Sequence, residues 1–297
     1  MLITDERFRE LTDRRARQPE LVAERAAVRR RRPLLGDDGR LVLIAADHPA
    51  RRIFRVGAAA HAMADRRDLL ERTVVALRRP GVDGLLATPD ILEDLLLLDE
   101  LDGKVLIGSM NRGGLTGSAW ELDDRFTAYD ADRIDALGLD GGKMLLRLDL
   151  DDRGTLETIE GCARAVTALA EHGRIAMVEP LPAFRDPAGK VWISDDPDEL
   201  VAAVAIGSAL GATSAYTWLK LPAPTDPARM LAATTLPTLL LGGDPGADAT
   251  RVFAAWRDAM TYPQVRGLVA GRSLLYPGDG DVARAVDAAV DIVHGTT

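Results

Sequence analysis

The sequence has little cysteine and no long apolar run, and each absence excludes a class of protein. Its one cysteine, Cys162, has no partner for an internal disulfide, which is typical of a reducing compartment. No apolar run approaches the roughly 20 residues that cross a bilayer. The charged segment 1–18 lacks the apolar stretch of a signal peptide. We therefore expect a cytoplasmic protein with no membrane partner.

An excess of cationic charge is also missing. The 297-residue chain carries a formal net charge of −9 at pH 7. This balance argues against a nucleic-acid partner, because phosphate contacts need cationic surface. Lysine is scarce as well, since the chain has only Lys104, Lys143, Lys190 and Lys220 and its other basic residues are arginine. An ammonium can lose its proton and a guanidinium effectively cannot, so each lysine is a candidate for chemistry.

Short runs rich in valine, isoleucine and leucine alternate with amphipathic stretches along the chain. Continuous apolar runs are typical of parallel strands that are buried on both faces. The eight runs are Leu41–Ala46, Gly84–Thr88, Val105–Ser109, Lys143–Leu148, Ile175–Glu179, Tyr216–Leu221, Thr238–Gly242 and Gly267–Ala270. The stretches with a helical period are Asp65–Arg79, Asp90–Leu101, Ala131–Leu137, Thr155–His172, Asp196–Leu210, Asp226–Ala233, Ala247–Met260 and Asp281–Val293.

Eight strands that are each followed by a helix predict an α/β fold, the (β/α)8 or TIM barrel. The alternative is an open doubly wound sheet, but no G-x-G-x-x-G follows the first strand. We expect a single barrel domain over residues 1–297, with the barrel at 40–293. An extra N-terminal helix is expected in a helical extension over residues 1–36.

Lys220 is the strongest candidate for a catalytic residue, because it stands inside the apolar sixth strand of the predicted barrel. Burying a charged ammonium there is costly unless the group is paired or neutral. One interpretation is a structural ion pair with a carboxylate such as Glu179. The interpretation that we favour is an amine nucleophile that forms a Schiff base with a substrate carbonyl.

Two further ionisable residues lie in strand-like runs. A cation at Lys143, about 4 Å from Lys220, would disfavour a second ammonium by roughly 4 kcal/mol at an effective dielectric of about 20. The alternative for Lys143 is a lysine at the start of the strand that points to solvent. Glu179 follows an apolar run, and it suits proton transfer or a salt bridge to either lysine.

Asp47 and His48 end the first strand. Asp47 could orient substrate hydroxyls, pair with Lys143 or cap the following turn, and His48 could simply fill the rim. A divalent site from Asp47, His48 and Glu179 is the weaker hypothesis, because the four histidines are scattered and no metal-binding motif is present. We expect no metal and no cofactor.

Glycines follow the seventh and eighth strands, where barrels often bind phosphate through backbone N–H groups. Gly242 and Gly243 end the seventh strand, and Gly271 with Arg272 ends the eighth. Glycine allows close backbone approach, and arginine supplies a bidentate cation. This pattern predicts a phosphorylated small-molecule partner.

Five segments resemble the Schiff-base class I aldolases of the deoxyribose-phosphate and tagatose-bisphosphate aldolase superfamily. The segments are AADHP, GGKMLLRLDL, AMVEPLP, TWLKLP and GLVAGR, and the resemblance covers roughly residues 40 to 293. It implies a Schiff-base lysine at Lys220, a catalytic glutamate at Glu179, a supporting lysine at Lys143, a substrate-facing aspartate at Asp47 and a phosphate-binding end at Gly271 and Arg272.

More narrowly, the chain is similar to (β/α)8 aldolases that are associated with inositol catabolism. That similarity implies carbohydrate metabolism, with cleavage of a phosphorylated 5-dehydro-2-deoxygluconate into dihydroxyacetone phosphate and malonate semialdehyde. The arginine-rich N-terminal helix and the loop Asn111–Gly114 depart from the pattern of the better-known aldolases.

We therefore predict a carbon–carbon lyase, an aldolase that acts on a phosphorylated ketose or keto-sugar acid. Arg112 and Arg147 are candidates for holding a substrate carboxylate. The rival functions are a metal-dependent lyase or isomerase on the same barrel and a non-catalytic sugar-phosphate-binding barrel. A homo-oligomer is compatible with each of these functions.

Overall fold

Eight parallel strands close into a barrel in the computed structural model, which describes residues 1–224, 226–243 and 249–295 apart from the side chain of Ala249. The strands are β1 Leu41–Ala45, β2 Gly84–Ala87, β3 Val105–Ser109, β4 Gly141–Leu148, β5 Ile175–Arg185, β7 Thr217–Leu221, β8 Thr238–Leu241 and β9 Val265–Ala270, and the short β6 Val191–Ile193 lies outside the barrel. Pairing runs from β4 through β3, β2, β1, β9, β8 and β7 to β5, and β4 also pairs with β5. This closure confirms the predicted (β/α)8 barrel and rules out the open sheet.

Helices surround the barrel and precede it. They are α1 Asp5–Arg17, α2 Leu21–Val28, α3 Arg66–Leu77, α4 Pro89–Leu97, α5 Ala131–Ala136, α6 Arg153–Glu171, α7 Pro197–Ser208, α8 Ala228–Ala232, α9 Ala249–Ala259, α10 Arg272–Leu275 and α11 Val282–His294. Aspartates cap several of them; Asp130, for example, accepts a hydrogen bond from the Arg133 N–H. Across the described part of the chain, no helix is long and apolar enough to cross a membrane.

The N-terminal extension contains two helices rather than the one that the sequence predicted. α1 ends at Arg17 and α2 begins at Leu21, with Pro19 between them. Proline has no N–H to donate and disfavours the helical conformation of the residue before it, so the helix breaks there. Leu11 and Val22 are both buried, and the two helices pack against α4.

Two strand boundaries also differ from the sequence prediction. β4 starts at Gly141, so Lys143 lies inside the strand and not at its beginning. β5 continues past Glu179 to Arg185 and pairs with the antiparallel β6 as a hairpin above the barrel. The prolines in the sequence EPLP obscured this extension, because proline usually interrupts strands. The predicted helix start at Ala247 lies outside the described residues.

The barrel interior changes character along its axis. Its amino-terminal part is filled by apolar side chains, which are Leu41, Leu43, Ala45, Leu86, Val105, Ile107, Ile175, Met177, Trp218, Leu239 and Val269. Leu34 and Leu35 pack against this cluster from the segment before β1. The inward positions toward the carboxyl ends of the strands carry charged side chains together with a few leucines, so the apolar part forms a floor beneath the charged groups.

His294, the last residue of α11, lies between two carboxylates of segments that lead into β1 and β2. Its Nδ1 contacts Asp38, and its Nε2 lies 3.2 Å from Asp83 Oδ2. The hydrogen bond to Asp83 is the main cause that raises the pKa of His294 to about 9, although partial burial opposes it. The protonated imidazolium therefore links α11 to the amino-terminal side of the barrel.

We expect the stabilisation that His294 contributes to the free energy of unfolding to fall as pH is raised from 7 to 10. Because the folded-state pKa is raised above the unfolded value of about 6.5, the stabilisation is complete below pH 6.5 and is lost as pH rises through about 9. With solvent screening of this half-buried group we expect a loss of about 1–2 kcal/mol. In urea unfolding at several pH values, the free energies of unfolding of the wild type and of a His61→Gln control should fall by this amount relative to that of His294→Gln. Equal pH dependence in His294→Gln would contradict the assignment.

Candidate active site

Four ionisable side chains meet at the carboxyl-terminal end of the barrel interior. Lys143 comes from β4, Glu179 from β5 and Lys220 from β7, and Asp47 follows β1. Alternate residues of a strand point to the same side of the sheet. The four side chains therefore face the barrel interior, either in the layer directly above the apolar floor or in the floor layer itself. All four are at least nine-tenths buried.

Glu179 joins the two lysines. Its Oε1 lies 2.9 Å from the Lys220 Nζ, and its Oε2 contacts the Lys143 Nζ. Burial alone would raise the pKa of Glu179, but the two ammonium groups outweigh burial and lower that pKa to about 2. Glu179 is thus an ionised carboxylate that is shared between two amines.

Lys143 lies deep in the barrel and not at a solvent-facing strand end. Its side chain is only 2% exposed, and its Nζ lies 3.6 Å from Asp47 Oδ2. Burial lowers the pKa of Lys143 to about 8, and the charge on Lys220 adds to that effect while Glu179 and Asp47 oppose it. The solvent-facing alternative for Lys143 is therefore wrong.

Asp47 is held by several groups that favour its charged form. The Arg112 Nη2 lies 2.9 Å from Asp47 Oδ2, and the Ser109 hydroxyl donates to the same oxygen at 3.3 Å. Burial would raise the pKa of Asp47, but Arg112 and then Lys143 and Lys220 hold it well below the usual range. The structure therefore places the Arg112 guanidinium on Asp47.

Arg147 holds the loop between β3 and α5. Its Nε and Nη2 donate to the two carboxylate oxygens of Asp124 at 2.9 and 2.8 Å, and Arg51 Nη2 lies 3.3 Å from Asp124 Oδ1. The Asn111 side chain exchanges two hydrogen bonds with the backbone of Leu145, which extends the pairing of β3 with β4. Sequence reasoning missed Arg51 and Asp124, because neither lies in a motif and their pairing is set by the folded loop.

The glycine residues after β8 and β9 line the same cavity, together with Arg272. A Cβ atom on Gly271 would lie 2.3 Å from the Ala45 carbonyl oxygen and 2.8 Å from His48 Cε1. A Cβ atom on Gly242 would lie 2.3 Å from the Ser273 Oγ, and Gly243 has a positive φ of 65°. Neighbouring protein atoms therefore exclude a side chain at Gly242 and Gly271, and the backbone conformation disfavours one at Gly243.

The cavity at the barrel mouth measures about 480 Å³, which is within the range of small-molecule sites. Cationic lining residues outnumber acidic ones among the described residues. The cations are Arg51, Arg112, Lys143, Arg147, Lys220 and Arg272, and the acids are Asp47, Glu121 and Glu179. Apolar side chains from the β5–β6 hairpin complete the wall, including Leu181, Val191 and Ile193. Such a lining favours a small anionic ligand that also has an apolar part.

The acids of the cavity contact cations. Asp47 and Glu179 contact arginine or lysine, as described above, and His48 Nδ1 lies 3.8 Å from Asp47 Oδ1. Within residues 1–224, 226–243 and 249–295, no three histidine, cysteine, aspartate or glutamate side chains are grouped so that they could hold a metal ion.

Comparison with known proteins relates this barrel to one family and to several aldolase structures. A family model described as Cgl0159-like matches residues 39–290. The crystal structure of Cgl0159 from Corynebacterium glutamicum has 49% identity and a TM-score of 0.95, over 98% of this chain and 98% of that one. No protein with a curated description matches the chain.

Structures of fructose-1,6-bisphosphate aldolases share the fold at low identity. One that forms a Schiff base has 18% identity and a TM-score of 0.67, over 92% of this chain and 99% of its own. An archaeal enzyme, with its catalytic lysine covalently bound to the carbinolamine intermediate, has 17% identity and a TM-score of 0.66, over 92% of this chain and 100% of its own. At these identities the likeness establishes the (β/α)8 fold.

Proposed function

The chain belongs to the Cgl0159-like family, and from this premise we propose that it is a class I aldolase that cleaves a phosphorylated ketose or keto-sugar acid. One observation carries the proposal. The Lys220 amine lies on the wall of a cavity of about 480 Å³, 2.9 Å from a carboxylate that also contacts a second buried lysine. This arrangement combines a nucleophile, a proton carrier and an open volume for a carbonyl substrate.

In the proposed reaction the neutral Lys220 amine attacks the substrate ketone, and a carbon–nitrogen bond forms. Glu179 carries the proton that the nitrogen loses to the oxygen, which gives the carbinolamine. A second proton, which Lys143 supplies through Glu179, converts the carbinolamine hydroxyl into water, and its departure leaves the protonated imine. The protonated imine then accepts the electron pair of the breaking carbon–carbon bond and becomes an enamine, while the hydroxyl on the departing carbon gives its proton to Glu179 as the aldehyde forms. The enamine carbon takes up that proton, which regenerates the protonated imine. Water finally hydrolyses this imine, releases the ketone product and returns a proton to Lys143.

The neighbouring residues have supporting roles in this scheme. Lys143 contacts Glu179 and can replenish or accept its proton, because its pKa of about 8 lies close to neutrality. Asp47 stays ionised and orients substrate hydroxyl groups, while Arg112 fixes the Asp47 carboxylate. Arg147 positions the loop after β3 through Asp124, and the protonated imine serves as the electron sink.

The anionic part of the substrate is proposed to lie at the other end of the cavity. Gly242, Gly243 and Gly271 allow close backbone approach there, and Arg272 adds a cation to the same wall. A phosphate suits this end, because backbone N–H groups and a guanidinium both donate hydrogen bonds to it. Phosphorylated 5-dehydro-2-deoxygluconate is the first candidate substrate, with dihydroxyacetone phosphate and malonate semialdehyde as products.

Borohydride trapping tests this proposal directly. The wild-type protein is incubated with chelator and a panel of ketose phosphates that includes dihydroxyacetone phosphate and fructose 1,6-bisphosphate, and it is then reduced and digested. We expect a mass increment on the Lys220 peptide with at least one member, and cleavage that survives chelation. Binding without any adduct would favour a non-catalytic sugar-phosphate-binding barrel, and cleavage that is lost on chelation would favour a metal-dependent lyase.

A further inference from the structure

His48 lies where the lysine end and the glycine end of the cavity meet. It follows Asp47 directly and lines the cavity, and its Cε1 lies only 2.8 Å from where a Cβ atom of Gly271 would be. The His48 carbonyl accepts hydrogen bonds from Arg51 N at 3.0 Å and Ile53 N at 3.4 Å, so a tight turn fixes this residue. The ring is therefore held between Asp47 on one side and Gly271 on the other.

The imidazole ring of His48 has no protein hydrogen bond among the described residues. Its Nδ1 is buried without a partner, and the 3.8 Å distance to Asp47 Oδ1 is too long for a hydrogen bond. The 19% of the side chain that remains exposed lies on the cavity wall. A polar group that is mostly buried without a partner costs free energy, so it calls for a ligand or a function.

The charge state of the His48 ring determines which kind of ligand atom the ring can bind. Burial, with the charges of Arg272, Lys220 and Arg112, lowers the pKa of His48 to about 3, although Asp47 opposes this shift. The imidazole is therefore neutral near pH 7 and offers one N–H donor and one lone pair. A neutral ring of this kind suits an uncharged oxygen, whereas Arg272 suits the phosphate charge.

We propose that His48 is a specificity-determining residue, whose ring binds an uncharged substrate oxygen that lies between the carbonyl carbon at Lys220 and the phosphate at Gly271 and Arg272. This inference rests on the proposed function, because that function places the two ends of the substrate. In dihydroxyacetone phosphate the oxygen at this position is the phosphate ester oxygen. His48 would then favour phosphate esters over analogues that replace this oxygen by carbon.

The test compares dihydroxyacetone phosphate with its phosphonate analogue, in which a methylene group replaces the ester oxygen. Calorimetric Kd values and borohydride-trapped adduct are measured for the wild type, His48→Phe and His48→Gln. One neutral hydrogen bond predicts that the wild type prefers the ester by about 3- to 10-fold. His48→Phe should bind both ligands nearly equally, and His48→Gln, which keeps a terminal hydrogen-bonding group, should restore part of the preference.

His61→Phe serves as the matched control, because His61 is an exposed histidine in a turn outside the cavity lining. An unchanged ester preference in His48→Phe would overturn the proposal. Equal weakening of both ligands, together with a lower Tm, would also overturn it, because it would show a structural role alone. If the wild type binds both ligands and forms no adduct, the aldolase function fails, while the Kd ratio still reports on His48.

Discussion

Replacement of Lys220 by arginine should abolish turnover while the barrel stays folded. In the wild type the Lys220 Nζ lies 2.9 Å from Glu179 Oε1. Arginine keeps a positive charge within reach of Glu179, so it can replace this ion pair. A guanidinium cannot lose its proton and form an imine, so we expect turnover to fall by at least about 10³-fold. Steady-state assays and borohydride trapping on the best wild-type substrate measure this loss.

Lys190→Arg is the matched control for this substitution. Lys190 is exposed in the turn of the β5–β6 hairpin, and its Nζ lies 3.5 Å from the centroid of the Trp192 ring, a contact that arginine can also make. We expect wild-type activity and adduct formation in this variant. Substantial turnover by Lys220→Arg, or an adduct that forms on Lys143 in the wild type, would show that Lys220 is not the nucleophile.

Glu179→Gln should cause the largest loss of stability among single substitutions at the barrel mouth. The change keeps the side-chain shape but leaves the ammonium groups of Lys143 and Lys220 without their shared carboxylate. Removing one partner from a buried ion pair typically costs about 3–5 kcal/mol, because an uncompensated charge remains. Urea unfolding at pH 7 measures this effect. Turnover should also fall by about 10²- to 10⁴-fold, because proton transfer is lost.

The stability deficit of Glu179→Gln should shrink as pH rises. The pKa of Lys143 is already lowered to about 8 in the wild type, and loss of the glutamate lowers the pKa further. Between that lower pKa and the wild-type value of about 8, the folded variant binds fewer protons than the folded wild type, so the deficit shrinks as pH rises toward about 8 and stays constant above it. Glu171→Gln, a substitution of an exposed glutamate at the end of α6, should show no such trend. A constant deficit from pH 6 to 8 would argue against a charged Lys143 beside Glu179.

The sequence was sufficient to predict the barrel, because its signal is local and repeated. Each apolar run is long enough for a strand that is buried on both faces, and a helical period follows most runs. Lys220 stands near the end of one apolar run and Glu179 at the end of another. Their positions predict that both side chains lie at the same end of the barrel, the mouth at the carboxyl ends of the strands. The N-terminal break at Pro19 and the β5 extension past Pro180 were less predictable, because proline changes backbone geometry in ways that depend on its neighbours.

By itself, the sequence determined which segments form strands and helices and which polar residues stand at the carboxyl ends of the strands, since both follow from side-chain order along the chain. Only the tertiary structure decided which charged side chains pair with one another. It placed Glu179 between two lysines, bound Arg112 to Asp47 and engaged Arg147 with Asp124. These partners are far apart in the chain, and their pairing depends on barrel closure and loop geometry, which no sequence period encodes.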